Sequence, residues 1–141
     1  MVVYARDVPI STAGELDFQD ITELVASVIT EAKVRTGTAT VFVPGATSAI
    51  VLNENDPAAV EDFKAAIERL VPKKANYKHG ENPQSHVRSL MLGPSCTIPV
   101  RDDRLQLGTW QSIFLVELDV RPRKRKVSIT IIGTSSVHEG D

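Results

Sequence analysis

The order of elements predicts an α+β protein built on a mostly antiparallel sheet. Three observations carry that prediction. Helical and extended segments do not alternate as strand–helix–strand units. Two segments place apolar residues at helical spacing behind recognisable caps. The last third of the chain is rich in strands whose apolar residues recur every second position. The 141 residues contain no internal repeat, linker or low-complexity tract, and read as one domain over 1–141.

Each element has a local reason. The opening Val2-Val3-Tyr4-Ala5 through Thr12 reads as an edge strand interrupted at Pro9. Asp20 with Glu23 three positions on has the form of a capping box. Ile21, Leu24, Val25, Val28 and Ile29 then follow at helical spacing, so a helix is expected over 20–35, closed by Gly37. Thr38–Pro44 is β-branched and reads as a strand. After a small-residue break, Ala49–Glu54 reads as its hairpin partner. Asp56-Pro57 is a helix start, with a capping aspartate and proline in the first turn, and Pro72 ends that helix. Ser85 caps a short helix over 86–92, stopped by Gly93-Pro94, and Pro83 keeps one helix from running through both His79 and His86. Cys96–Val100 and Leu105–Leu107 flank a tight polar turn. Trp110–Arg121 reads as a long strand, with Phe114, Val116, Leu118 and Val120 on one face and Ile113, Leu115, Glu117 and Asp119 on the other. A turn over 122–125 leads into the strand 126–133, and residues from Thr134 on read as a frayed tail.

Composition excludes several function classes. The formal net charge is −2, against the strong basicity of a nucleic-acid binder. The single cysteine, Cys96, allows no intrachain disulfide and fits a reducing compartment. No signal peptide and no apolar run of membrane-spanning length are visible. The expectation is a soluble cytoplasmic protein.

The residues able to carry chemistry gather between His79 and Gln111. Two of the three histidines lie there, and neutral imidazole binds zinc-like ions. Glu54 is the carboxylate best placed to complete a metal set with His79 and His86, although the Asn53–Asp56 run also fits plain capping. Trp110 offers a flat face to a planar ligand, with core packing as the alternative. Gln111 can donate and accept at a ring nitrogen or phosphate oxygen. The loop 44–49 can present backbone amides, with the Thr47 and Ser48 hydroxyls, to an anion, or serve as a turn. The basic run 121–126 reads as a solvated hairpin tip or as the source of one arginine for a phosphate. Glu117 and Asp119 share a strand face and can pair around an ion or bridge Arg121 and the following strand. Arg88 reads as a surface arginine, Cys96 as a packing residue, and His138 as idle.

Taken in order, these segments resemble the YjbQ-like family. The resemblance rests on Thr40–Pro44 with Thr47–Ile50, Asn53-Glu54-Asn55, Tyr77 with His79, and Ser85–Arg88. It continues through Leu92–Ser95, Ile98–Val100, Leu107–Gln111, and Asp119 with Arg121–Arg123. It implies a homotrimer of α+β subunits, each a mixed, mostly antiparallel sheet curled into a sandwich-like half-barrel, with two longer helices and one short one. It also implies a divalent metal, zinc or magnesium, held by His79, His86 and Glu54.

The implied activity is of thiamine-phosphate synthase type, joining a pyrimidine-methyl diphosphate to a thiazole phosphate as a secondary activity. His86, Glu54 and Gln111 would then be catalytic, while Trp110, Gln111, Thr47, Ser48, Arg88 and Arg121 would hold a small phosphorylated or planar heterocyclic ligand. A non-catalytic ligand- or metal-binding protein and a metal-dependent hydrolase are the alternatives. Many bacterial relatives carry a histidine before the Thr-Ser-Ala element and a His-x-His pair, where this chain has Ala46 and Gln84.

Overall fold

The computed structural model describes residues 1–135. Eight strands and three helices follow one another along the chain. They are β1 (Val2–Ser11), β2 (Asp17–Asp20), α1 (Thr22–Ala32), β3 (Val34–Phe42), β4 (Ser48–Asn53) and α2 (Pro57–Leu70), then α3 (Pro83–Leu92), β5 (Ser95–Arg101), β6 (Arg104–Leu105), β7 (Ser112–Glu117) and β8 (Lys124–Ser135). A five-stranded sheet runs in the order β1-β8-β3-β5-β6, and a three-stranded one in the order β2-β7-β4. Every strand pairing among the described residues is antiparallel. The sheets curl into a half-barrel.

The main core lies between the sheets. Ala39 and Val41 of β3, Ile98 and Val100 of β5, and Val127, Ile129 and Ile131 of β8 meet Val25, Val28 and Ile29 of α1 and Ile113 and Leu115 of β7. The other face of β7, Phe114 and Val116, packs with Leu16, Ala49 and Leu118 and with Val60 and Ile67 of α2. β7 is therefore buried on both sides. That is why its Ile113–Val116 run is continuously apolar, where a half-buried strand would alternate.

Several boundaries differ from the sequence expectation. β4 does not pair with β3. It pairs with β7, Ser48 opposite Glu117 and Asn53 opposite Ser112, so the break at 44–47 carries the chain from one sheet to the other. Nor do β7 and β8 form a hairpin, because residues 118–123 make the same crossing in reverse. α1 stops at Ala32, where Lys33 takes the left-handed conformation at φ 56° and caps the helix with its own amide.

Gly37 is thus a strand residue. It pairs with Gly133, and a Cβ there would sit 2.0 Å from the Ile132 carbonyl oxygen; only glycine allows that approach. Asp20 belongs to β2 yet still serves α1, accepting from the Thr22 amide at 2.9 Å. β1 runs unbroken through Pro9 as an edge strand, which tolerates it. Thr134 and Ser135 extend β8; His138 lies outside the described residues. No helix among the described residues is long and apolar enough to cross a membrane.

Candidate functional site: a basic cavity at one end of the small sheet

Charge collects where β4 begins and β7 ends. Glu117 closes β7 with none of its surface exposed, Asp119 is 3% exposed, and Arg125 on β8 is 5% exposed. Arg125 Nε donates to Glu117 Oε1 at 2.8 Å, and its Nη2 donates to Thr47 Oγ1 at 2.8 Å and to the Thr47 carbonyl at 3.0 Å. Thr12 Oγ1 and the Asp119 amide also donate to the Glu117 carboxylate, at 2.7 and 3.0 Å. A buried ion pair is tolerable when its remaining lone pairs and protons are satisfied in this way.

Asp119 receives Arg123 Nη1 at 2.5 Å and Asn82 Nδ2 at 2.9 Å. Burial pushes the Asp119 carboxyl up, but the Arg123 guanidinium and the Val120 and Arg121 amides outweigh it and hold the carboxyl below its ordinary range.

This network positions a loop and two rings. Gly45, at φ +130°, lets the loop lie against Arg125, whose Nη1 a Cβ there would meet at 3.0 Å. Leu118 N donates to the Thr47 carbonyl at 3.0 Å, tying the two chain crossings together. Asn82, left-handed at φ 47°, turns the chain into α3 at Pro83. That bend brings His79 back to His86, with ring centroids 4.8 Å apart and planes at 83°. The result is a cavity of about 270 Å3 bounded by Gly45–Thr47, the two imidazoles, Glu81, Asn82, Asp119, Arg121, Arg123 and Arg125. The Arg121 side chain is exposed and has no ion-pair or hydrogen-bond partner among the described residues. Its guanidinium is the unpaired one among the described arginines that line the cavity.

The structure gathers His79, His86, Thr47 and Arg121 and separates the other expected residues from them. Ser48 is fully buried beside the loop and its hydroxyl has no partner. Arg88 is not a surface residue. It is 2% exposed, with Nε donating to the Val71 carbonyl at 3.0 Å and Nη1 to Glu15 at 3.1 Å. It ties α3 to the end of α2.

Glu54 follows β4 at the opposite end from Thr47, roughly 20 Å of strand away at ~3.3 Å per residue. Trp110 and Gln111 share that far end. Trp110 is 72% exposed, so it neither plugs the core nor faces the cavity. Gln111 closes its own turn, its Oε1 accepting from the Gly108 amide at 2.7 Å. Within one chain the expected set His79, His86 and Glu54 does not converge, and no three His, Cys, Asp or Glu residues among the described ones are placed to hold a metal.

Arg123 and Arg125 read from sequence only as members of the basic run, and Asn82 was not singled out. The signal was present: Glu117 and Asp119 alternate with period two, as do Arg121, Arg123 and Arg125. The expected bridge to the following strand forms at Glu117 through Arg125 on β8; Asp119 instead pairs with Arg123, which precedes β8, and the Arg121 side chain pairs with neither acid. Arg125 is buried, so the basic run is more than a solvated turn.

Residues 6–134 match the family described as UPF0047 protein YjbQ-like. A UPF0047 protein of Methanothermobacter thermautotrophicus is 39% identical over 136 residues, covering 94% of each chain. Another, from Methanocaldococcus jannaschii, is 40% identical over 126 residues, covering 88% of this chain and 91% of that one. Among solved structures, a YbjQ-like protein of unknown function from Sulfolobus solfataricus superposes with a TM-score of 0.90 at 34% identity, covering 94% of this chain and 98% of that one. A YjbQ/UPF0047 family protein from Clostridium acetobutylicum gives 0.86 at 36%, covering 90% and 99%. The chain belongs to the UPF0047 YjbQ-like family.

Proposed function

We propose that the basic cavity binds a small phosphorylated anion. The observation that carries this reading is the unpartnered Arg121 guanidinium beside two adjacent imidazoles and the Gly45–Thr47 loop. The other two arginines of the run are neutralised by Asp119 and Glu117, so they brace the cavity while Arg121 remains available. A guanidinium presents parallel donors that match two phosphate oxygens. The two imidazoles add ring N–H donors at the same cavity.

The finer form of the proposal is a transferase of thiamine-phosphate synthase type. The carbon–oxygen bond of a pyrimidine-methyl diphosphate breaks, the diphosphate leaves with the electron pair, and the thiazole nitrogen forms the new carbon–nitrogen bond. What supports it is a cluster of donors aimed at a departing diphosphate. Trp110, Gln111 and Glu54 take no part in this version, because they stand at the other end of the sheet.

Two imidazoles are half of a four-ligand zinc site, and Asp119 is committed to Arg123 and Asn82. Glu81 lines the same cavity, yet no three His, Cys, Asp or Glu residues among the described ones are placed to share an ion, so the residues of one chain do not fit a resident metal. Metal analysis of purified protein checks this directly. The homotrimer is likewise a proposal, checked by sedimentation.

The test of the proposal is calorimetric titration with diphosphate. Wild type should bind. Arg121→Gln should bind at least tenfold more weakly, the loss of one charge-assisted contact worth ~1.5–3 kcal/mol. Equal affinity in the two proteins would sink the proposal. If binding holds but His86→Ala leaves synthase turnover unchanged, the anion site stands and the transferase falls.

A further inference from the structure

A second cavity lies on the outer face of the small sheet, away from the basic end. Its volume is about 280 Å3, and Phe18 of β2, Val51 of β4, Phe63 and Ile67 of α2, and Leu92 at the end of α3 wall it. Its origin is visible in how the two longer helices pack. α1 buries Val25, Val28, Ile29 and Ala32 and lies close against β3 and β8. α2 is longer and amphipathic, yet none of its residues is fully buried and it approaches no strand as closely. Its apolar face therefore stands off the sheet, and space remains between them.

The lining is specific in its chemistry. No charged side chain borders the space. Phe18 lies edge-on to Phe114 at 5.5 Å and tilted 34° to Phe63 at 6.2 Å, so aromatic surface forms much of one wall. The one polar group is Asn53. Asn53 is exposed at the rim; its Oδ1 accepts from the Glu54 amide at 2.8 Å, which orients the side chain, and its Nδ2, open to solvent, has no acceptor among the described residues.

Apolar surface lining an opening of this kind sheds water and gains dispersion contacts when something apolar fills it. We infer that this cavity binds an uncharged, single-ring small molecule bearing one hydrogen-bond acceptor, which Asn53 Nδ2 serves. The volume is at the lower edge of the range for small-molecule sites, about 300–1,000 Å3, which suits one ring and not a fused cofactor. A lining without charge rejects the phosphorylated ligand of the basic end, so this inference does not depend on the proposed function.

The experiment uses acetophenone, a ring with a carbonyl, and ethylbenzene, a ring without one, followed by protein-amide and ligand-observed magnetic resonance. Acetophenone should give saturable shifts at Phe18, Val51–Asn53 and Phe63–Leu70, with intermolecular cross-relaxation to the Phe18 and Phe63 rings. Ala66→Phe, which fills the space, should weaken binding at least tenfold without lowering the melting temperature. Asn53→Ala should weaken acetophenone several-fold and leave ethylbenzene unchanged, and His86→Ala should change neither.

An absence of saturable binding and of ring cross-relaxation in wild type would overturn the inference, whether or not Ala66→Phe folds. Equal affinity in a folded Ala66→Phe would place the probe elsewhere and overturn it too. So would shifts that follow protein concentration and not probe, since a second copy would then cover the cavity. Equal acetophenone affinity in Asn53→Ala would remove the assigned acceptor contact.

Discussion

The two ends of the small sheet hold polar residues of different kinds in opposite arrangements, charged at one and amide at the other. At the end where β4 begins, Glu117, Asp119, Arg123 and Arg125 are locked together, and Arg121 is left free above them. At the other, Gln111 and Asn53 spend their side-chain oxygens on neighbouring amides, while Trp110 stands in solvent. The first arrangement leaves one guanidinium without an ion-pair partner at a cavity that Glu81 also lines. The second closes turns. A conspicuous motif such as Gly108-Thr109-Trp110-Gln111 need not mark the charged cavity, which the less conspicuous acid–base alternation of 117–125 builds.

Breaking the buried pair is expected to have the largest effect. Glu117→Ala leaves Arg125 buried without its acid, a loss of about 3–5 kcal/mol, measured by chemical denaturation against wild type. A change under about 1 kcal/mol, a typical point-mutant size, would mean the network carries little of the fold. Arg121→Gln should separate binding from stability, weakening diphosphate at least tenfold while unfolding free energy stays within about 0.5 kcal/mol, as for other exposed sites.

Asp119 sharpens the comparison through pH. Its folded carboxyl titrates below its ordinary range, so its stabilisation is complete above the unfolded value of about 3.9 and is lost as pH falls through the folded value. Acid unfolding of wild type should therefore show a component that Asp119→Asn lacks. Parallel acid profiles for the two proteins would remove Asp119 from the account. The smallest effect belongs to Trp110→Ala, which should leave diphosphate affinity unchanged and stability within about 0.5 kcal/mol.

Much of this was legible in the sequence, and the remainder has physical reasons. Local signals worked where local physics decides. Asp56 caps α2 through the Ala59 amide at 3.0 Å, and the bend at Pro83 keeps His79 and His86 off a shared helix while letting them meet. Strand partnership was not local. β3 and β4 are neighbours in sequence with a turn-like break between them, and a hairpin was the simplest reading; the continuous apolar run of β7 needed partners on both sides and took β4 for itself. That one pairing carries Glu54 away from the histidines and Thr47 toward them. The burial of Arg88 had no signal at all in its own neighbours, because its partners Glu15 and Val71 come from distant segments.

The account rests most heavily on where a phosphorylated anion settles. Backbone amide shifts recorded while diphosphate is added would show it directly. The expected result is saturable movement at Gly45–Thr47, His79, His86 and Arg121, with Gly108–Gln111 undisturbed. Movement confined to Gly108–Gln111 and Glu54, or none anywhere, would contradict it.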